Sequence, residues 1–211
     1  MRGIITVRRK AEQGIAIGPI LFIIAILGIL ASAIAAGSGS FTASTSSEGA
    51  KTKAAALIQV GENLKIGMDR LVIENSIAWG DYTIDTTKTA NVNDLFSPAG
   101  GGIASPSPSL SNDPANGDNW NYPTGDVPGF GSTNDDQIVV LPVSEVVCTE
   151  VNNKANGYSN EPSINVTAAA LQVNTAIADL SGWPAALQGK PIGCLQSSDS
   201  KFFFYQILYI Q

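Results

Sequence analysis

The sequence contains no histidine, only two cysteines and little charge. Of its 211 residues, 12 are Lys or Arg and 18 are Asp or Glu, so that 14% are charged, where about a quarter is usual. The lack of histidine excludes Ser-His-Asp triads, Cys-His pairs and His-based zinc sites. Two cysteines are too few for a four-cysteine zinc or iron–sulfur centre. We therefore expect a protein that is not an enzyme and that holds no cofactor or metal.

The sign of the charge also bears on the class of partner. The net charge of −6 is unfavourable for binding nucleic acid, which requires a basic face to neutralise phosphates. The few cations are unevenly placed, because residues 1–14 hold four of them and one carboxylate, a net charge of +3. The rest of the chain is therefore acidic, and we expect no nucleic-acid partner.

A charge-free apolar segment follows the basic N-terminus. No charged residue occurs from Gln13 to Ser47, and Ile15–Ala36 within that gap is 22 residues long. As a helix this segment would span about 33 Å, enough to cross a hydrocarbon core of about 30 Å. Its aliphatic residues fall on every side of a helical wheel, as lipid or a packed bundle requires. The basic cluster is expected to stay cytoplasmic, which places the acidic remainder outside.

Several interpretations of this N-terminus compete. It is compatible with a secretory signal peptide, with small-residue sites such as Ala33-Ile34-Ala35, which would be removed. It is also compatible with an uncleaved signal anchor, or with a prepilin leader that is cut before the apolar stretch. A buried core helix is the fourth and least favoured interpretation. Composition alone does not choose among them.

The order of the residues favours the prepilin interpretation. The stretch from Arg8 to Gly14 (RRKAEQG), followed at once by Ile15, resembles the leader of a type IV prepilin. The residues that resemble the middle of the pilin transmembrane helix are Ile24, Ala25, Ile26, Leu27, Gly28, Ile29 and Leu30. The resemblance implies that a prepilin peptidase cuts after Gly14 and methylates Ile15. Residues 15–37 would then lie in the inner membrane and, after assembly, in the core of a filament.

Two residues depart from the pilin pattern. Ile15 stands where the first mature residue is usually Phe, and Pro19 stands where the fifth is usually Glu. In the family that glutamate pairs with the N-terminal amine of a neighbouring subunit, which relieves a charge in an apolar environment. A proline in the first turn is compatible with a helix, because the early N–H groups have no intrahelical partner. The departure favours a minor or tip subunit, or a divergent lineage, over a major fibre subunit, and it is also compatible with a simple membrane anchor.

The segment 38–75 is expected to form a linker and then an amphipathic helix. Small and polar residues run from Gly37 to Ser47, and the helical pattern continues from Glu48 to about Glu74. Spacings of three and four produce one apolar stripe. Its members are Leu57, Val60, Leu64, Met68 and Leu71. We expect the stripe to pack on the C-terminal domain; a seam with a partner helix in a filament is the alternative.

The C-terminal domain, 76–211, is expected to be α+β and to contain a long loop. Short strands are predicted around Ala78–Ile84. The loop at 97–136 has six prolines, seven glycines and no Lys or Arg, so it cannot hold a long helix or strand. Its aromatic residues are predicted to anchor it to its own domain, with contacts to partners or sugars as the alternative. These residues are Trp120, Tyr122 and Phe130.

The last third of the chain carries the clearest patterns for helices and strands. The apolar run Gln137–Leu141 predicts a strand. Ser144–Ala155 is predicted to be a helix that Gly157 ends, and the alanine-rich Thr167–Leu180 is predicted to be another. The aromatic run Lys201–Ile210 predicts a central or well-covered strand.

Cys148 and Cys194 are the only cysteines. An even number in a domain placed outside the membrane favours a disulfide, with two buried free thiols as the alternative. Many type IV pilins have a C-terminal disulfide loop beside their exposed variable region, so the resemblance implies the same arrangement here.

The sequence as a whole predicts a long apolar N-terminal helix, bent or interrupted near 37–47, and a small antiparallel sheet domain. The predicted function is a structural subunit of a type IV pilus-like filament or secretion pseudopilus. Its partners would be other pilins or copies of itself, the membrane and prepilin peptidase. It would be extracellular after assembly. The alternative is a secreted or anchored binding or adhesive domain. An enzyme ranks third, since Ser198 and Lys201 fit an SxxK spacing but lack its companion motifs.

Overall fold

The computed structural model describes residues 47–84, 91–111, 119–131, 136–177, 180 and 182–210. All of these belong to the unit Ser47–Gln211. The predicted leader at 1–14, the apolar helix at 15–37 and the start of the linker lie outside the described residues. In the part that is described, no helix is both long enough and apolar enough to cross a membrane.

The described sheet has four strands. These are β1 (Thr124–Gly125), β2 (Asp136–Val143), β3 (Ile192–Gln196) and β4 (Phe202–Tyr209). Their order across the sheet is β1-β2-β4-β3, and each neighbouring pair is antiparallel. The predicted α+β class with a small antiparallel sheet is confirmed, and so are both strands predicted from apolar runs. β3 was not predicted.

The two central strands are mostly apolar because both faces of the sheet are covered; the polar exceptions are Asp136 and Gln137 in β2 and Gln206 in β4. In β4, Phe204 and Leu208 point into one hydrophobic core, which also contains residues of the helices on that side. Phe203, Tyr205 and Ile207 point into a second core on the opposite face. A strand buried on both sides gains from apolar residues at every position, so its sequence is a continuous run and does not alternate.

The helix α1 covers residues 47–69 and continues as a π-helical turn, Arg70–Glu74. Its buried face belongs to the first core together with β2 and β4. That face contains Ala50, Ala54, Leu57, Leu64, Met68 and Leu71, while Val60 is only partly buried. The predicted stripe therefore packs on its own domain. Ile66 in α1 and Ile73 in the π-helical turn are exposed at 61% and 75%.

The helix α2 (Glu145–Asn156) forms where the sequence predicts it and packs on the same side of the sheet as α1. Gly157 has a φ of 76°, and its N–H donates to the carbonyl of Asn153 at 3.1 Å. This left-handed conformation strains other residues but not glycine, so the helix ends at the predicted residue.

The prediction of a helix over Thr167–Leu180 is wrong for most of its length. The helix α3 covers only Ala168–Leu171. Beyond it the chain runs beside β1, where the N–H of Ile177 donates to the carbonyl of Thr124 at 2.7 Å. Pairing with a distant strand replaces the helical hydrogen bonds that the alanine-rich pattern favours, so tertiary structure overrides local propensity.

The strand predicted around Ala78–Ile84 is not formed either. Thr83 makes one isolated bridge, to Asp94. The ring of Trp79 stacks on that of Tyr209, with ring centroids 5.3 Å apart, and contacts the ring of Tyr82 edge to face.

Candidate functional site

The disulfide between Cys148 and Cys194 is present and joins α2 to β3. Both residues are fully buried, and their Cα atoms lie 5.2 Å apart. The bond closes a loop across a sequence separation of 46 residues, which in the chain-entropy picture removes about 4 kcal/mol of freedom from the unfolded state. The predicted pairing is thus confirmed.

Two asparagines of α2 cover the outer edge of β3. The side-chain amide of Asn152 donates to the carbonyl of Cys194 at 2.9 Å, and its oxygen accepts from the N–H of Cys194 at 2.8 Å. One turn later, the amide of Asn156 donates to the carbonyl of Ile192 at 2.9 Å. The two asparagines therefore satisfy backbone groups that a neighbouring strand would otherwise bind.

A short extended segment covers the rest of that edge. The N–H of Ile164 donates to the carbonyl of Gln196 at 2.8 Å, and the N–H of Gln196 donates to the carbonyl of Pro162 at 2.9 Å. Sequence reasoning missed this edge cover. The available signal was the pair of asparagines four residues apart in α2, on the same helix face as Cys148.

The aromatic residues of the long loop fix it to the domain, as predicted. The indole N–H of Trp120 donates to the carbonyl of Ser107 at 3.1 Å, and its ring meets that of Phe204 edge to face. Trp120 is only 9% exposed. Phe130 packs against the second core. The loop is tied to the first core by Trp120 and to the second by Phe130.

The anchored loop supplies every described lining residue except Asn174 of an open cleft of ≈ 430 Å³, which we call the neutral cleft. None of its described lining residues has a charged side chain. The lining residues are Ser105, Pro106, Pro108, Asn119, Trp120, Asn121, Tyr122 and Asn174. Burial raises the pKa of Tyr122 above its ordinary value, and a phenol is uncharged at physiological pH even without that shift.

A second groove of ≈ 320 Å³ lies between α1 and the loop. It shares Ser105 and Pro106 with the neutral cleft and is otherwise lined mainly by apolar side chains. Val60 and Leu64 form its helical wall, and Ile103 faces them from the loop. This explains why Val60, although part of the predicted stripe, is only partly buried.

The residues that match the SxxK spacing lie in a turn. Ser198 and Lys201 lie in the connection between β3 and β4, which is a turn, not a helix. Between them, Asp199 accepts hydrogen bonds from the hydroxyl of Ser197 at 2.7 Å and from the N–H of Ala168 at 2.8 Å. These bonds hold the pKa of Asp199 below its ordinary value. The carboxylate joins the start of α3 to this turn.

Most of the site residues predicted from the sequence fall outside the described part. These are the processing pair Gly14 and Ile15 and the apolar residues Ile24, Ala25, Ile26, Leu27, Gly28, Ile29 and Leu30. Where the chain is described, no group of three or more acidic or cysteine side chains is arranged to hold a metal ion.

The neutral cleft brings together parts of the chain that sequence reasoning did not connect. Asn174 belongs to the segment predicted as helix, yet its side-chain oxygen accepts from the N–H of Tyr122 at 2.8 Å. The two residues are 52 positions apart, and no local pattern links them. No protein-family model, no curated protein sequence and no solved structure matches this chain.

Proposed function

We propose that the chain is a structural subunit of a type IV pilus-like filament or secretion pseudopilus. A prepilin peptidase would cut between Gly14 and Ile15, and residues 15–37 would hold the mature chain in the inner membrane until assembly. The observation that carries the proposal is Ile15–Ala36, a charge-free apolar run directly after a basic leader-like stretch. Cleavage after Gly14, on the cytoplasmic side of this run, would leave the whole run in the mature chain.

The form of the described domain supports the proposal. Only residues 37–46 separate the apolar run from α1 in the sequence. One face of α1 is buried in its own domain, whereas Ile66 in α1 and Ile73 in the π-helical turn that follows it are exposed. These two side chains would offer apolar surface to a neighbouring subunit.

The covered sheet edge and the disulfide also suit a subunit outside the cell. A disulfide is stable in an oxidising compartment. Because Asn152 and Asn156 occupy the backbone groups of β3, that edge is protected against the addition of a foreign strand. Assembly would therefore use helix packing and burial of apolar surface, with the domain at the filament surface or tip.

The N-terminus of the mature chain tests the proposal directly. The protein is purified from its native cells and its N-terminal peptide is identified by mass spectrometry. We expect the chain to begin at Ile15 with a methylated amine. A Gly14→Val variant should keep its leader, whereas Gly3→Val, a matched change inside the leader, should be processed normally.

Two results would overturn the proposal. One is a mature chain that begins near Ala36 and is freely soluble. The other is a full-length chain whose N-terminus does not change when the peptidase is deleted. The former would instead support the second candidate, a secreted binding domain, which the neutral cleft favours as a preformed concave site.

A further inference from the structure

We propose that the neutral cleft binds an uncharged carbohydrate. The proposal does not depend on filament assembly, because the cleft lies wholly within the described domain. Its volume of ≈ 430 Å³ falls in the range of about 300–1,000 Å³ that is usual for small-ligand sites.

The charge of the lining selects the class of ligand. Among the described residues that line the cleft, none has an ionised side chain, although the chain as a whole has a net charge of −6. A phosphate, carboxylate or ammonium group placed there would lose water without gaining a counter-charge. A sugar hydroxyl is neutral and needs only hydrogen-bond partners, so it fits this lining.

The asparagines supply those partners. Asn121 donates through its amide nitrogen to the carbonyl of Asn119 at 3.0 Å, and Asn174 accepts through its oxygen from Tyr122. Within the described residues, the side chain of Asn119, the oxygen of Asn121 and the amide nitrogen of Asn174 have no protein partner. An amide presents both donors and an acceptor, which matches hydroxyls that donate and accept.

Apolar surface lies beside these amides. Pro106, Pro108, Trp120 and Tyr122 all contribute to the lining. The carbon-bound hydrogens of a sugar ring form an apolar face that packs against such groups. A lining of apolar surface with a few convergent polar groups is the usual composition of a small-ligand site.

The cleft is held in shape before any ligand arrives. Trp120 is bonded to the carbonyl of Ser107, and the hydroxyl of Ser107 accepts from the N–H of Ser109 at 3.3 Å at the start of a 3₁₀ turn. On the other side, Asn174 is bonded to the backbone of Tyr122. Because the lining residues are already fixed, binding a ligand costs less conformational entropy. This saving is important for sugars, because they also lose strongly bound water when they bind.

The test uses the full chain, labelled with a fluorophore, in a detergent without a sugar head group, so that the readout does not depend on insertion into a membrane. The probe is an array that carries neutral oligosaccharides with glucose, galactose, mannose and N-acetylhexosamine ends, acidic glycans, and proline-rich peptides. We expect binding to a subset of the neutral oligosaccharides, with competition by the same free sugar.

The matched variants are Asn119→Ala, in the cleft, and Asn153→Ala, an exposed asparagine of α2. Loss of one hydrogen-bonding amide should weaken binding about fivefold, while Asn153→Ala should leave it unchanged. Three results would overturn the proposal: no neutral oligosaccharide bound, preference for acidic glycans or peptides, or equal binding by Asn119→Ala and wild type. None of these results bears on where the mature chain begins, so the filament proposal stands or falls separately.

Discussion

Gly61 in α1 lies directly against Gln206 in β4. A Cβ atom at position 61 would be 3.0 Å from the side-chain oxygen of Gln206 and 3.0 Å from the ring of Phe204. Gln206 is fully buried, and its oxygen has no hydrogen-bond partner among the described residues. The absence of a side chain at position 61 therefore lets the helix approach the sheet this closely.

Substitution of Gly61 should separate the helix from the sheet. We expect Gly61→Leu to lower the free energy of unfolding by about 1–3 kcal/mol, the usual cost of overpacking a core. Gly49→Leu in the same helix is the control, because a Cβ atom at position 49 would meet no other atom within 4 Å; leucine there should be neutral or stabilise by up to about 1 kcal/mol. Urea denaturation measures both, and equal effects would contradict the close contact.

The hydrogen bonds of Asn152 to the outer edge of β3 should contribute to stability. Asn152→Ala leaves the N–H and carbonyl of Cys194 without partners in a fully buried position. We expect a loss of about 1–3 kcal/mol in the free energy of unfolding, the cost of unsatisfied buried polar groups. The neighbouring Asn153 is exposed, and Asn153→Ala should change stability little. A mild effect of Asn152→Ala would mean that water replaces the amide at that edge.

The disulfide should be a major source of stability. We expect the double variant Cys148→Ala, Cys194→Ala to unfold with a free energy lower by about 4 kcal/mol than the oxidised wild type. Dithiothreitol should destabilise the wild type and leave the variant unaffected. Thiol labelling of the denatured wild type should detect no free cysteine before reduction and two after it. Labelling before reduction would contradict the assignment.

The hydrogen bonds to the carboxylate of Asp199 should make the free energy of unfolding depend on pH in the acid range. Because its folded-state pKa is lowered, the ionised form stabilises the fold at pH values above the unfolded pKa, about 4. That contribution is lost as pH falls through the folded pKa. Asp199→Asn should therefore be less stable than wild type at neutral pH, and the difference should shrink in acid. Asp81→Asn, at an exposed position, is the control in urea titrations at both pH values.

The pattern of neighbouring residues was sufficient to predict the elements that leave a regular signal in the sequence. The stripe of α1, the αL glycine that ends α2 and the continuous apolar runs of β2 and β4 are each dictated by neighbouring residues. The helical stripe was visible because burial on one side repeats every three or four residues. The buried runs were visible because a strand covered on both faces is apolar at successive positions.

Elements that depend on distant partners could not be predicted. β3 is a five-residue strand with a glycine and a cysteine, and its place is set by β4 and by the asparagines of α2. The helix predicted beyond Leu171 gives way because residues 175–177 pair with Thr124. Pairing with these partners stabilises the observed conformation more than local propensity favours a helix. Because the partners are far away in sequence, the neighbouring residues do not reveal the pairing.

The sequence alone thus determined the acidic net charge, the exclusion of histidine-based sites, the apolar N-terminal run and the cysteine pair. It was also sufficient to predict α1, α2, β2 and β4. Tertiary structure alone decided which backbone edges are covered and which residues meet around the neutral cleft. Composition and periodicity are properties of neighbouring residues, whereas the cleft exists only because hydrogen bonds such as that between Tyr122 and Asn174 join segments that the chain itself keeps apart.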